Sequence, residues 1–204
     1  MRVAIAGGTG AFGRALAARL VAAGDDVVIG SRDADRARAA ADELGARGER
    51  NDDAVKDVDL VVLAVEAHAA LDTAQALNDV LRAPLLSVAS ELEFAGRAAS
   101  PPAEPLSLAE RVADVVDVPV AAGLHTLAAG KLADRNPDED ALVCGDDDDA
   151  KALALELARH LVAGRAVDAG PLAAARALEA MTAVLVNVNR RYKTHAGVRV
   201  TGLA

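Results

Sequence analysis

The chain has 204 residues, of which 52% are hydrophobic and 26% charged, and its formal net charge is −9. This length supports one substantial hydrophobic core, so the composition is typical of a soluble α/β domain. The acidic charge and an aromatic content of 1% argue against nucleic-acid binding, since phosphate is repelled and bases find few rings to stack on. No run approaches about 18 apolar residues, and a strand at the N-terminus leaves no room for a signal peptide, so we expect a cytoplasmic protein that does not bind membranes.

The first 30 residues predict a strand, a turn, a helix and a second strand. Arg2–Ala6 is a short apolar run of the kind found in buried parallel strands. The pattern that follows predicts a helix over about 11–23 and a second strand over 26–30.

The turn between the first strand and this helix has the glycine spacing G-x-G-x-x-G. In a dinucleotide-binding unit, the first glycine allows the tight turn, the second lets the backbone approach a pyrophosphate, and the third lets the helix pack closely on the strand. The phosphates then lie at the N-terminus of the helix, where free N–H groups favour anions. The predicted cofactor-binding residues of this turn are Gly8, Thr9, Gly10, Ala11, Phe12 and Gly13.

The second strand is followed by Ser31 and Arg32 rather than by an acidic residue. An NAD enzyme usually places a carboxylate there against the ribose 2′-hydroxyl, whereas a 2′-phosphate needs hydrogen-bond donors and positive charge. Arg32 and Arg36 supply guanidinium groups that can bind such a phosphate. We therefore predict NADP(H) as the dinucleotide, and we interpret Asp33 and Asp35 as N-cap and first-turn acids of the next helix.

Strands and helices alternate through the rest of the chain. Further strands are predicted at 59–65, 85–90, 119–124, 142–144 and 166–168. Helical segments are predicted up to about residue 44 and at 51–56, 67–82, 107–116, 148–162 and 172–191, with a Pro-rich loop around 101–105 and an irregular segment at 130–140. This order predicts a Rossmann-type, doubly wound, mostly parallel sheet in a single domain over 1–204, with 171–204 as a small C-terminal helix and tail.

In such a sheet the ligand lies beyond the carboxyl ends of the strands. Besides the residues above, this rule selects positions that include Ala64, Val65, His68, His125, Leu127 and Ala129. Two of these are histidines that could act in acid–base chemistry. For His68 the alternative is a helix-surface or cofactor-contact residue, and for His125 it is a structural hydrogen bond.

Neither a metal site nor a catalytic triad is predicted. Four consecutive aspartates at 146–149 precede an apolar helix, where N-cap and first-turn acids complement the helix dipole. The chain has no G-x-S-x-G segment of the kind that presents a nucleophilic serine. His160 and His195 have no partner at a suitable spacing, and we expect structural roles for both.

With these residues placed, the chain resembles the NADPH-dependent reductases of the deazaflavin coenzyme F420, the F420:NADP oxidoreductase family, over nearly its whole length. The motifs that carry the resemblance are Met1-Arg-Val-Ala, Gly7-Gly-Thr-Gly10, Val28-Ile-Gly-Ser-Arg32, His68-Ala with Asp72-Thr-Ala74, Leu124-His-Thr126, Val143-Cys-Gly-Asp-Asp-Asp148 and Asp168-Ala-Gly-Pro-Leu172. The resemblance implies a homodimer and hydride exchange between nicotinamide C4 and deazaflavin C5, achieved by positioning and without a catalytic side chain.

The resemblance also implies roles for individual residues. The NADP phosphates would be held by Thr9, Ser31, Arg32 and Arg36. The two rings would meet at Leu127 and Ala129. Polar contacts near the deazaflavin and the dimer interface would come from His125, Arg176 and Thr182.

Two loops on the second-substrate side depart from the family pattern. The chain has Val65-Glu-Ala-His68 where the family has a Pro-Trp-Glu-His stretch, and Ser90-Glu-Leu-Glu-Phe94 where it tends to Pro-Val-Ser-Arg. Two alternatives therefore stay open. One is an NADP-dependent imine or pyrroline-carboxylate reductase, which usually has a long C-terminal helical dimerisation domain, and the other is a non-catalytic NADP-binding protein.

Overall fold

The structure is a computed structural model that describes residues 1–203, so Ala204 of the predicted tail lies outside the described residues. The strands are β1 (Arg2–Ala6), β2 (Asp26–Ser31), β3 (Arg47–Arg50), β4 (Leu60–Leu63), β5 (Leu85–Ser87), β6 (Glu93–Ala95), β7 (Ala98–Ser100), β8 (Val120–Gly123), β9 (Ala141–Gly145) and β10 (Ala166–Asp168). The helices are α1 (Ala11–Ala22), α2 (Ala34–Asp42), α3 (Asn51–Ala54), α4 (Ala70–Leu77), α5 (Leu108–Ala113), α6 (Ala129–Asp134), α7 (Asp148–Leu161) and α8 (Ala175–Tyr192), with single 3₁₀ turns before α4 and α8.

Within residues 1–203, eight strands form one sheet in the order β10-β9-β8-β5-β4-β1-β2-β3. Neighbouring strands are parallel throughout, except that β8 and β9 are antiparallel. The central strand β4 is the uninterrupted apolar run Leu-Val-Val-Leu and is buried along its length, as expected for a parallel sheet covered on both faces. The predicted Rossmann-type, mostly parallel fold is confirmed.

Helices cover both faces of the sheet. On one face, Leu16 of α1 and Leu157 of α7 are fully buried against β1 and its neighbours. On the other, Leu108 of α5 and Leu178 of α8 pack with the opposite side of the same strands. Each fully buried leucine contributes about 1.5–3 kcal/mol relative to an exposed one, so these two layers hold the sheet in place. Within residues 1–203, the helices are each too short or too polar to span a bilayer.

The last helix, α8, runs across one face of the sheet, from the amino ends of the central strands towards their carboxyl ends. Strands β9 and β10 run opposite to β8, so α8 starts at the amino edge of the central strands and ends near their carboxyl edge. There the side chain of Asn187 accepts from Ala99 N and donates to Ala99 O, both at 2.8 Å. These two bonds dock the β6–β7 hairpin on α8.

Four segments differ from the prediction. β3 and the β6–β7 hairpin, which lies just before the Pro-rich loop, were not expected. The predicted irregular segment at 130–140 is wrong in its first part, which is helix α6. The predicted helix at 67–82 is also too long, since it consists of a 3₁₀ turn and α4.

Candidate active site

A cavity of about 510 Å³ opens at the carboxyl ends of β1, β2 and β4. The strands continue as β2 and β3 on one side of β1 and as β4, β5 and β8 on the other, so the connection reverses direction between β1 and β4. Open α/β sheets bind their ligands at this kind of switch point. The lining residues are Gly7, Thr9, Gly10, Ser31, Arg32, Asp33, Arg36, Asn51, Ala64, Val65, Glu66, His68, Ala69 and Thr73.

The glycine turn forms the floor of this cavity. Gly7 has the left-handed backbone conformation, with φ of +77°, so the tight turn depends on Gly7 more than on Gly8, the residue expected from the motif. A Cβ on Gly13 would lie 2.6 Å from Cα of Gly8, which explains why α1 needs glycine there to pack on the turn. A Cβ on Gly10 would have only Gly7 O within 4 Å, at 3.7 Å. Packing within the protein therefore does not require this glycine, whereas close approach of a ligand would.

Helix α1 begins at this turn without a cap from a side chain. Its N-cap is Gly10, and its first turn has no acidic residue. The first backbone N–H groups of a helix have no acceptor inside the helix, and the dipole adds partial positive charge. This end of α1 is suited to binding a phosphate.

Two arginines at the cavity have no acidic partner. Arg32 and Arg36 are exposed, and neither forms an ion pair within the part of the chain that the structure describes. Nearby, Arg38 contacts Asp35 at 2.8 Å and Arg50 contacts Asp52 at 3.1 Å. In a chain with 31 acidic and 22 basic residues, two free guanidinium groups beside a cavity indicate an anionic ligand.

One carboxylate oxygen of Asp33, Oδ1, caps the backbone of α2. It accepts from Asp35 N at 2.9 Å and from Arg36 N at 3.2 Å. The predicted N-cap role is therefore confirmed. Beside it, the buried Ser31 accepts from Asp33 N at 3.3 Å through its hydroxyl.

Asn51 is a cavity residue that the sequence did not predict. It is buried at the start of α3, and its Oδ1 accepts from Gly7 N at 3.3 Å. The amide therefore connects the segment after β3 to the glycine turn, where it also lines the cavity. Its position depends on β3, which the hydrophobic pattern of the sequence did not predict, so Asn51 could not be placed at the site from the sequence.

A separate cluster of polar residues lies where β5 and β8 end. His125 is buried, and its Nδ1 is 3.2 Å from Oγ of Ser90. Thr182 of α8 is 2.8 Å from Ser90 through the two hydroxyls and donates to His125 O at 2.9 Å. Burial lowers the pKa of His125 to about 4, with a smaller opposing effect from the backbone of Val88, so the ring is neutral at physiological pH.

A strained turn positions His125. Leu124 has a left-handed backbone with φ of +66°, which is unfavourable for a branched side chain. Leu127 N donates to Leu124 O at 3.0 Å and closes the turn. Strain of this kind persists where surrounding contacts impose it and occurs often at functional sites.

The remaining predicted residues fall in three places. Gly8, Ala11, Phe12 and Gly13 belong to the glycine turn and α1 but do not line the cavity. Leu127 is buried beside His125, and Ala129 opens α6. Arg176 lies apart from His125, beside a separate cavity of about 440 Å³ between α5 and α8, where its guanidinium donates to Glu104 O. His160, expected to be structural, contacts Asp25 at 2.6 Å.

Known proteins are similar to this chain in sequence and in architecture. Residues 2–90 match the sequence model of a family described as NADP oxidoreductase coenzyme F420-dependent. An F420-dependent NADP reductase of Methanothermobacter thermautotrophicus is 35% identical over 222 aligned positions, which cover 100% of this chain and 96% of that protein. A solved structure from Arthrobacter sp. FB24, provisionally assigned as an F420-dependent NADP reductase, has a TM-score of 0.87 at 25% identity and covers 99% of this chain and 100% of its own.

An imine reductase of Streptomyces aurantiacus shares the fold. Its TM-score is 0.63 at 20% identity, and the match covers 95% of this chain but 62% of the imine reductase. The whole-length alignment with the Methanothermobacter reductase is the stronger likeness. On that alignment the chain belongs to the family of coenzyme F420-dependent NADP oxidoreductases.

Proposed function

We propose that this protein transfers a hydride between C4 of the nicotinamide of NADP(H) and C5 of the deazaflavin of coenzyme F420. The observation that carries the NADP half is the pair of unpaired guanidinium groups, Arg32 and Arg36, beside the cavity at the switch point. Membership of the F420-dependent NADP oxidoreductase family supports the second coenzyme.

The residues around the cavity fit a phosphorylated dinucleotide. The uncapped start of α1 and the open side of Gly10 suit a pyrophosphate. Ser31, Arg32 and Arg36 suit a 2′-phosphate, because they combine a hydroxyl with two guanidinium groups. At the end of β2, where NAD enzymes place a carboxylate, the chain has Ser31 and Arg32, and Oδ1 of Asp33 caps α2.

The proposed chemistry needs positioning more than acid–base groups. NADPH supplies the hydride together with both electrons. The chain would hold the two rings in contact and exclude water, and effects of orientation alone can lower a barrier by up to roughly 7–11 kcal/mol. We assign the ring contacts to Leu127 and Ala129, and polar contacts near the rings to His125 and Thr182, which lie at the ends of β8 and along α8.

The proposal includes a single domain over 1–204 that forms a homodimer through α8 and the docked hairpin. Apolar side chains are unusually exposed there: Phe94 of β6 at 56% and Val184 of α8 at 59%. Such side chains on one helix and its docked hairpin are typical of surfaces covered by a partner. The cavity beside Arg176 adjoins this region of α8. We also propose a cytoplasmic location. NADP(H) does not cross membranes unaided, because its phosphates are charged, so an enzyme that uses it works in the compartment that contains it.

The test is a single-turnover experiment with oxidised F420 and an excess of NADPH, followed by the visible absorbance of the deazaflavin. We expect the absorbance to fall with NADPH and far more slowly with the same concentration of NADH. Oxidation of NADPH by a cyclic imine, with no change in F420, would support the imine reductase alternative. Binding of NADPH without turnover of either acceptor would indicate a non-catalytic protein.

A further inference from the structure

His125, Ser90 and Thr182 form a chain of hydrogen bonds, and the donor of each bond can be assigned from the number of protons available. The hydroxyl of Thr182 donates to His125 O at 2.9 Å, because a carbonyl oxygen only accepts. A hydroxyl has one proton, so Thr182 has none left for Oγ of Ser90, which lies 2.8 Å away. Ser90 is therefore the donor in this second contact.

The same assignment of donors shows which nitrogen of the His125 ring carries the proton. Oγ of Ser90 is 3.2 Å from Nδ1, and the serine proton already points to Thr182. Nδ1 must then carry a proton and donate it to Ser90. Because burial keeps the neutral ring dominant near pH 7, the other ring nitrogen, Nε2, is unprotonated.

Nε2 of His125 is buried and has no hydrogen-bond partner within residues 1–203. Ser87 Oγ and Thr126 Oγ1 are also buried without partners in that range, and they lie at the same ends of β5 and β8. Buried polar groups of folded proteins are seldom left unpaired. An unprotonated ring nitrogen accepts hydrogen bonds and cannot donate them, so the group that pairs with Nε2 must be a donor.

We infer that Ser90 is a positioning residue, which holds His125 in the Nδ1–H tautomer so that Nε2 accepts a hydrogen bond from an amide N–H of a bound coenzyme. The inference rests on the proposed function, because both coenzymes carry such a group. In NADPH it is the carboxamide of the nicotinamide, and in F420 it is the lactam of the deazaflavin ring. In the other tautomer, Nε2 of His125 would carry a proton and face the amide N–H of the coenzyme. Two donors cannot form a hydrogen bond, so this contact would be lost.

The tautomer is measurable in the ligand-free protein. Two-bond ¹H–¹⁵N spectra resolve the rings of the four histidines, and the His125→Asn variant identifies the signals of His125. At pH 7 we expect a proton on Nδ1 and none on Nε2. Thr182→Val frees the proton of Ser90 without touching the ring, so it should raise the fraction of His125 with its proton on Nε2, and Ser90→Ala should do the same. A proton on Nε2 in the wild type, or an unchanged tautomer in both variants, overturns the inference.

Coenzyme binding tests the consequence. In Ser90→Ala we expect the dissociation constant of one coenzyme, measured separately for NADPH and for oxidised F420, to rise about three- to tenfold, as for the loss of one neutral hydrogen bond. A rise for NADPH alone assigns the donor to the carboxamide, and a rise for F420 alone assigns it to the lactam. Thr201→Ala is the matched control, because it also removes one hydroxyl and Thr201 is exposed in the C-terminal segment, outside α8 and the hairpin. Unchanged affinity for both coenzymes in Ser90→Ala contradicts the inference.

Failure of this inference and failure of the proposed function give different results. If the wild type reduces F420 but carries the His125 proton on Nε2, the proposed function stands and the role of Ser90 is wrong. If NADPH binds but F420 is neither bound nor reduced, the proposed function fails. A dependence of NADPH affinity on Ser90 would then still assign the donor to the carboxamide.

Discussion

The proposed function assigns the preference for NADP(H) over NAD(H) to Arg32, together with Arg36. In Arg32→Asp we expect the dissociation constant of NADPH to rise by at least about tenfold, or about 1.4 kcal/mol, because a charge-assisted bond is replaced by repulsion of the 2′-phosphate. NADH has no such phosphate, so its affinity should change much less. Fluorescence titration with both dinucleotides measures the difference.

The matched control for this change is Arg38→Asp. Arg38 lies nearby on α2, but it is paired with Asp35 and does not line the cavity. Its replacement should leave the preference for NADPH intact. An Arg32→Asp variant that still prefers NADPH would mean that the 2′-phosphate binds elsewhere.

His125 should matter for orientation and not for proton transfer, since its ring is neutral and deazaflavin C5 accepts a hydride without a coupled proton. His125→Asn keeps a hydrogen-bonding side chain, so we expect it to retain most of the single-turnover rate at saturating coenzymes. Loss of a general acid or base would instead cost about 10²–10⁴-fold. A loss of that size with unchanged NADPH affinity would favour the imine reductase alternative.

The buried ring of His125 should also make the protein sensitive to mild acid. Burial lowers its pKa from 6.5 to about 4, so the unfolded chain takes up a proton that the folded one does not. This group's contribution is complete above about pH 6.5 and is lost as the pH falls towards about 4, which amounts to about 2 kcal/mol at pH 5. Urea unfolding of wild type and His125→Asn at pH 7 and pH 5 measures it. An equal loss in both proteins would show that His125 is not responsible.

Several cavity residues were predictable because each follows a strand with a clear apolar pattern. Ser31 ends β2, Arg32 follows it, and Val65 follows β4. Asn51 was not predictable, because the strand before it is Arg-Gly-Glu-Arg, which has no hydrophobic alternation. That strand is held by pairing with β2 and by the contact of Gly48 with the backbone of Ala37, and both are tertiary effects.

At the scale of elements, the long apolar strands and amphipathic helices were predicted, and several short elements were not. α6 has six residues and β6 and β7 have three each, so each spans fewer than two periods of its pattern. The hairpin depends on the bonds from Asn187, which lies about 90 residues later in the chain. A pattern read over a local window cannot contain that partner.

The C-terminal segment closes over the start of β9 and should stabilise it. Asp140 is fully buried there, and its N donates to Val198 O while its carboxylate accepts from Val200 N, both at 2.8 Å. Bonds from the backbone N–H groups of Val200 and Arg165 lower the pKa of Asp140 to about 2. This contribution is complete above the ordinary pKa of 3.8 and is lost as the pH falls towards about 2.

Deletion of residues 198–204 should therefore lower the free energy of unfolding by about 1–3 kcal/mol, because it leaves a buried carboxylate short of a donor. Deletion of 202–204 keeps the contacts of Val198 and Val200 and serves as the control. Urea unfolding at pH 7 compares the two. Equal stability of the longer deletion and the control would show that the segment contributes little.

At the scale of the whole molecule, the exposed side of α8 should set the oligomeric state. We expect a homodimer by light scattering, and we expect Val184→Glu to produce monomers, because it would place a charge in a buried interface. Glu156→Gln on the exposed surface of α7 is the control. A wild-type monomer, or a dimer unaffected by Val184→Glu, would place the interface elsewhere or remove it.

The single antiparallel pair of the eight-stranded sheet within residues 1–203, β8 with β9, has a consequence for how this site can change. If the strand after β8 were parallel to it, that strand would begin at the amino ends of the central strands. The connecting segment would then have to run away from the proposed coenzyme site, which lies at the carboxyl ends. Because β9 begins beside the end of β8, the intervening residues 124–140 are fastened at both ends to the same edge. Lengthening the exposed part of this segment, residues 133–136, costs little, since doubling a flexible loop adds only about 0.6 kcal/mol. Insertions here could therefore alter which acceptor is reduced while the dinucleotide half and the sheet stay as they are.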